Sequence, residues 1–197
     1  MLVLASGNAH KAEEFRALAA ASGLAARIAT AADFGGMPPV TEDAGTFLGN
    51  ARKKARALRG RLTASAYVLA DDSGLCVDAL GGEPGVESAY YAGPGGDAAA
   101  NRRKLLQAMR SVPEGRRQAH FYCLLLLLDR QGTEHVFDGR CDGRLLDSER
   151  GAGGFGYDPL FVPDGAGVTL AEMAPAEKNA VSHRARAWAK LAAWLQA

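Results

Sequence analysis

Tyr67-Val68-Leu69-Ala70-Asp71-Asp72-Ser73-Gly74-Leu75 is the stretch on which the reading of this chain turns. The apolar run Tyr67 to Ala70 reads as a buried strand. Two adjacent carboxylates stand directly behind it, followed by a Ser-Gly pair that reads as its break. Side chains alternate along a strand, so Asp71 and Asp72 point to opposite faces if the strand continues, and only one enters a given site. Asp72, nearer the break, is the candidate for direct contact with a hard divalent cation. Such a cation is held by one or two carboxylates and completes its shell with substrate phosphates. Taken alone, the pair is as readily a solvated strand end.

Working outward, Leu2 to Ala5 reads as a first buried strand and Ala9 to Ala21 as a helix, with Phe15 and Leu18 on one face. Ala25 to Thr30 predicts a short second strand. After the Pro38-Pro39 break, Thr46 to Leu62 predicts a basic helix carrying Phe47, Ala51, Lys54 and Leu58. Leu75 to Leu80 is expected to continue extended, and Gly81 to Gly96, rich in Gly and Pro, to form a loop. Asn101 to Met109 reads as a helix. Ala119 to Leu128 and Glu134 to Phe137 read as two strands joined by the turn Asp129-Arg130-Gln131-Gly132, and Gly139 to Leu146 adds a further strand. An irregular segment follows, and Asn179 to Gln196 closes the chain as a helix with Trp188 and Leu191 at helical spacing. Early alternation of strands and helices, followed by a strand pair, predicts an α/β fold with a mixed twisted sheet and flanking helices. No repeat or linker divides the chain, so residues 1–197 read as one domain.

The 197 residues suffice for a real core, and the net charge of +1 is spread along the chain. A nucleic-acid coat or a polybasic membrane anchor needs clustered positive charge, so neither nucleic acid nor membrane is an expected partner. The three cysteines, Cys76, Cys123 and Cys141, are widely spaced and form no CxxC pair, which reads as reduced thiols in the cytoplasm. Cys76 and Cys123 lie in apolar runs and read as packing residues. Met1 to Ala5 lacks the length and basic start of a signal peptide, and the run Cys123 to Leu128 is far too short to cross a bilayer.

Ser6-Gly7-Asn8-Ala9-His10-Lys11 lies where the first strand hands over to the first helix. Free N–H groups and the helix dipole favour an anion there, and Lys11 adds a cation suited to a polyphosphate. The segment is not a P-loop, and Ser and Asn also favour ordinary helix caps. Glu42-Asp43, just after the Pro38-Pro39 break, can bring a second carboxylate from either residue to the same cation, and taken alone the pair reads as a solvated loop. Gly151-Ala152-Gly153-Gly154-Phe155-Gly156 matches the dinucleotide pattern G-x-G-x-x-G, but polar residues precede it and Pro159 and Pro163 interrupt any helix after it. It reads instead as a loop presenting Phe155 to stack on a base and Asp158 to accept from the base edge. Lys178, His183 and Arg184 gather around the start of the last helix, with Ser182 as its cap, and suit a base carbonyl or a phosphate.

In order, Ser-Gly-Asn-x-x-Lys, Ala-Asp-Asp-Ser-Gly-Leu, Gly-Gly-Phe-Gly-Tyr-Asp-Pro, Glu-Lys-Asn and Ser-His-Arg occur from Leu4 to near the end of the chain. This set resembles the Ham1-like family of non-standard purine nucleoside triphosphate pyrophosphatases. The resemblance implies two lobes around a central substrate cleft, a homodimer, and Mg²⁺-dependent hydrolysis of dITP, ITP and XTP to monophosphate and pyrophosphate. It implies that Ser6, Gly7, Asn8, Ala9, His10 and Lys11 bind the triphosphate, with Lys54 reaching the phosphates. Asp72 would be metal ligand and proton acceptor, and Glu42 a further metal ligand. Ser73, Phe155, Gly156, Tyr157, Asp158, Lys178, His183 and Arg184 would complete the substrate site. The chain departs from the family where it carries Ser6 for a usual Thr, and Glu42-Asp43-Ala44-Gly45 for a usual Glu-Glu-Thr-Gly. Two alternatives remain: a Maf-like pyrophosphatase with another base preference, and a nucleotide-binding regulator without turnover.

Overall fold

The computed structural model describes residues 1–24, 27–62 and 66–197. Six strands form one open sheet in the order β2-β1-β3-β4-β5-β6: β1 Leu2–Leu4, β2 Ile28–Thr30, β3 Tyr67–Val77, β4 Gln118–Leu128, β5 Glu134–Leu145 and β6 Phe161–Pro163. β1 pairs parallel with β2 (Leu2 opposite Ile28) and with β3 (Leu2 opposite Tyr67), whereas β5 pairs antiparallel with β6. The sheet is therefore mixed, as expected. Its helices are α1 Ala9–Ala21, α2 Phe47–Arg59, α3 Ala98–Ala108, α4 Pro175–Val181 and α5 His183–Gln196.

The helix starts follow from capping. Asn8 accepts from the Lys11 N–H, Thr46 from the Gly49 N–H and Asp97 from the Ala99 N–H, each satisfying a donor of the first turn. The β4–β5 turn is held by the Asp129 carboxylate, which accepts from the Gln131 and Thr133 N–H groups at 2.9 and 2.8 Å.

Several boundaries differ from expectation. β3 runs unbroken through Asp71-Asp72-Ser73-Gly74, so the acidic pair sits inside a strand and the Ser-Gly pair does not end it. Gly74 lets the Gly85 backbone lie close against the strand, since a Cβ there would stand 2.1 Å from the Gly85 carbonyl oxygen. Asp78–Leu80 turns into a 3₁₀ helix rather than continuing extended. The two strands expected over Glu134–Phe137 and Gly139–Leu146 are one, β5. The closing helix is two helices, because Ser182 takes an extended conformation (ψ 152°) between them. β6 lies in the segment read as irregular. Of the predicted strand from residue 25 to Thr30, the beginning (25–26) lies outside the described residues.

The chain resolves into two compact units. The first comprises 1–72, 123–139 and 184–197, and its core joins Phe15 and Leu18 of α1, Leu69, Leu125 and Leu127 of the sheet, and Trp188 and Leu191 of α5. The rings of Phe15 and Trp188 meet at 5.7 Å. The second comprises 73–122 and 140–183, with a core of Leu75, Val77, Leu105, Met109, Phe121, Leu145, Leu160 and Phe161. Among the described residues, no helix is long and apolar enough to cross a membrane.

Candidate active site

The first unit holds a linked set of charged side chains at β3. Asp71 and Asp72 take separate partners, as strand alternation requires. Asp71 is fully buried. It accepts from Lys11 Nζ on Oδ1, and from Arg184 Nε (3.0 Å) and Cys123 Sγ (3.3 Å) on Oδ2. Burial alone would push its pKa up, but the Arg184 and Lys11 charges outweigh it and hold the carboxyl well below the usual carboxylate range. Arg184 also reaches Glu14 of α1 and lies 5.8 Å from the Phe15 ring centre.

Asp72 has a different setting. Its Oδ1 accepts from Lys54 Nζ at 2.6 Å, and the same ammonium donates to Glu42 Oε2 at 2.9 Å. Its Oδ2 is buried and receives no hydrogen bond. Burial pushes its pKa up to about 6, against the pull of Lys54 and with the help of the nearby Glu42 charge. Glu42, less buried, has its own burial cost outweighed by Lys54, and its pKa is lowered. Lys54, in turn, is held charged because its two carboxylates outweigh its burial.

Local sequence puts these groups together. Lys54 sits one turn beyond Asn50 on α2, and Asn50 Oδ1 accepts from the Ala44 N–H at 3.0 Å, which fixes the loop that carries Glu42. A Cβ at Gly49 would stand 2.5 Å from the Ala44 Cβ, so glycine is what lets this loop lie against the helix. Asp43 turns the other way, to an exposed pair with Lys53. The structure thus selects Glu42, not Asp43, as the acidic-loop carboxylate beside Asp72.

Ser6 to Lys11 caps α1. The Asn8 N–H donates to Ser6 Oγ at 3.1 Å, and Asn8 Oδ1 accepts from the Lys11 N–H at 3.2 Å. Gly7, Asn8, Ala9 and His10 are exposed, and a Cβ at Gly7 would meet nothing within 4 Å. No contact within the protein demands glycine there.

The second unit carries the other group. Asp158 Oδ2 accepts from the Phe155 N–H and from Lys178 Nζ, both at 2.8 Å, and the Lys178 ammonium lies 4.8 Å from the Phe155 ring centre. Gly154 adopts φ +67°, and a Cβ there would fall 2.2 Å from Asp158 Oδ2, so the loop closes on its carboxylate only with glycine. Tyr157 is buried, with its hydroxyl donating to the Ser88 carbonyl at 2.9 Å, and burial pushes its pKa up. The Gly156 carbonyl accepts from Arg102 Nη1 at 2.9 Å. His183 is buried, stacked on Phe121 at 4.8 Å and 12°. Ser73, next after Asp72 in β3, is half-buried.

Placement differs from expectation in two respects. Phe155 and Gly156 are half-exposed, but Tyr157 and Asp158 are buried supports of the loop, and Asp158 Oδ2 is committed to internal donors. Arg184 is 2 % exposed and, within the first unit, is paired with Asp71 and Glu14. Glycines 151 to 156 do not form a dinucleotide turn, since a 3₁₀ turn at Asp158–Leu160 and a strand follow them. Sequence reasoning gave no role to Asn50, Glu14 or Phe121. Only Asn50 left a signal, in the stretch Asn50-Ala51-x-x-Lys54-Ala55 that resembles the family's helix.

The sequence pattern of the Ham1 family matches residues 2–194. The chain belongs to the Ham1 family. It is 62 % identical to the dITP/XTP pyrophosphatase of Opitutus terrae over 98 % of this chain and 97 % of that protein. Among solved structures, a HAM1 protein from Coxiella burnetii is 35 % identical with a TM-score of 0.86, covering 99 % of this chain and 98 % of the other. The nucleoside-triphosphatase / dITP/XTP pyrophosphatase from Mycobacterium abscessus is 41 % identical with a TM-score of 0.75, covering 96 % of each chain. The Ham1 sequence motifs and the α/β architecture therefore agree over the whole length.

Proposed function

We propose that this protein hydrolyses deaminated purine nucleoside triphosphates (dITP, ITP and XTP) to the monophosphate and pyrophosphate, removing them from the nucleotide pool. The observation that carries this reading is Asp72: a buried carboxyl with one oxygen on Lys54, the other without a hydrogen bond, and Glu42 beside it. Among the described residues no three His, Cys, Asp or Glu side chains converge on one point, so a cation here would take few protein ligands. Two carboxylates, one with an unbonded buried oxygen, fit Mg²⁺, which completes its shell from phosphates and water. When bound, Mg²⁺ supplies charge neutralisation at the phosphates and lowers the pKa of a coordinated water.

The chain's own residues do the rest. Asp72 accepts a proton as water attacks the α-phosphorus in line; the bond to the bridging oxygen breaks, and pyrophosphate leaves with the electron pair. Burial pushes the Asp72 pKa up to about 6, which makes its carboxylate a stronger base than a free aspartate. Lys11 and Lys54 offset charge on the phosphates, and the α1 start offers N–H groups to them. Asp71 and Arg184 hold Lys11 in place, so Arg184 enters as a positioning residue. Phe155 offers a stacking face, and Lys178 and His183 offer donors for a purine 6-carbonyl, with Ser73 contacting substrate. A cytoplasmic location follows from the reduced-thiol reading, and a homodimer from the family resemblance.

Product analysis tests this. With Mg²⁺, dITP and XTP are expected to give monophosphate plus pyrophosphate, while dATP, dGTP and dTTP turn over far more slowly. Preferred cleavage of dTTP would move the chain to the Maf-like reading, and binding of ITP without product would leave a regulator.

A further inference from the structure

Asn50 is a buried amide with only one of its two polar atoms hydrogen-bonded. It is 0 % exposed, its Oδ1 accepts from the Ala44 N–H, and its Nδ2 is buried with no hydrogen-bond partner. Buried amide N–H₂ groups without an acceptor are rare, because the desolvation cost goes uncompensated. A site that needed only to anchor the Ala44 loop would be served by the oxygen alone.

Its position narrows what the acceptor is. Asn50 and Lys54 are four residues apart on α2, hence neighbours on one face, and both reach the segment Glu42–Ala44. Two donors on that face, one of them cationic, suit an oxyanion. We propose that Asn50 is a further substrate-binding residue, donating from Nδ2 to a phosphate oxygen of the triphosphate while its Oδ1 holds the Glu42 loop. This rests on the pyrophosphatase reading above. It gives one side chain two duties: it places the acidic loop, and it binds the group whose charge that loop's cation offsets.

The test compares Asn50→Asp and Asn50→Ala with wild type in dITP turnover, in inhibition by inorganic pyrophosphate, and in thermal unfolding. Asn50→Asp keeps the acceptor for Ala44 and removes the donor; Asn50→Ala removes both without adding charge. In both variants KM for dITP and the inhibition constant for pyrophosphate are expected to rise together, by on the order of ten- to a hundredfold, with kcat falling much less. A purely structural Asn50 predicts instead a lowered unfolding temperature for Asn50→Ala and wild-type pyrophosphate inhibition for Asn50→Asp, which would overturn the inference. So would weakened binding in Asn50→Asp alone, since that reports charge repulsion. Absence of dITP turnover in the wild type would refute the functional reading itself, a result these comparisons keep separate.

Discussion

Replacing Asp72 by asparagine should destroy activity and, at alkaline pH, stabilise the fold. The side chain is 7 % exposed, and burial lifts its pKa from 3.8 to about 6. A carboxyl whose pKa is higher folded than unfolded binds more protons in the native state. Its stabilising contribution is therefore complete below pH 3.8 and is lost as pH rises through 6. A rise of roughly two units corresponds to about 3 kcal/mol. Asparagine stands in for the protonated carboxyl, so Asp72→Asn escapes that loss. For a chain of this size about 1 kcal/mol moves the unfolding temperature by about 2–4 °C, which gives a gain of about 6–12 °C at pH 8. The assay is thermal unfolding of both proteins in chelator from pH 3.5 to 8, alongside dITP hydrolysis with Mg²⁺. The gain should vanish at pH 3.5, while hydrolysis falls by roughly 10²- to 10⁴-fold, the usual worth of a general base. A variant no more stable than wild type at pH 8, or a gain that does not change with pH, would refute the argument that this carboxyl is held ionised at a cost.

Lys178→Met leaves the buried Asp158 carboxylate without its cation; an unfolding free energy lower by about 3 kcal/mol or more is expected at pH 7, together with a raised KM for dITP, as read by denaturant titration and steady-state kinetics. Gly154→Ala forces a side chain into φ +67° and onto Asp158 Oδ2; a loss of about 1–3 kcal/mol should appear in the same titration, with selectivity for dITP over dGTP reduced. Removal of divalent metal by chelation should abolish pyrophosphate release, and Mg²⁺ should restore it without refolding, which circular dichroism before and after will check.

The sequence revealed the α/β class because apolar runs and capping residues are local signals. The start of α1 follows from Asn8 and the start of α2 from Thr46, each a side chain answering an orphan N–H of its own helix. β6 was not legible: its three residues, Phe161 to Pro163, carry no period, and their pairing with β5 is a long-range event. The break at Ser182 hid inside a continuous helical pattern, since one extended residue leaves the spacing on either side intact. The candidate site was legible as a set of motifs, not as a set of contacts. Nothing local distinguishes Glu42 from Asp43, because the choice depends on how Asn50 holds the Ala44 N–H and which lysine each carboxylate meets. The same holds for Arg184, whose partners Asp71 and Glu14 are far away in the chain.

The contrast between the two aspartates is the clearest case of structure deciding chemistry. They are the same residue type, adjacent in one strand, and both almost fully buried. Burial pushes both pKa values up; the number of cations each one meets decides the outcome. Asp71 has Lys11 and Arg184 and stays ionised at any ordinary pH. Asp72 is hydrogen-bonded to Lys54 alone, shares it with Glu42, and feels only a weaker pull from Lys11, so burial prevails and its carboxyl sits near 6. Exchanging the two environments would leave the composition of the site unchanged and remove its base. Pairs of titratable groups driven apart by their surroundings mark acid–base assignments, and here the period of two along β3 does the separating. For that reason the unbroken course of β3 through Asp71-Asp72-Ser73-Gly74 is as necessary to the proposed chemistry as the carboxylates themselves.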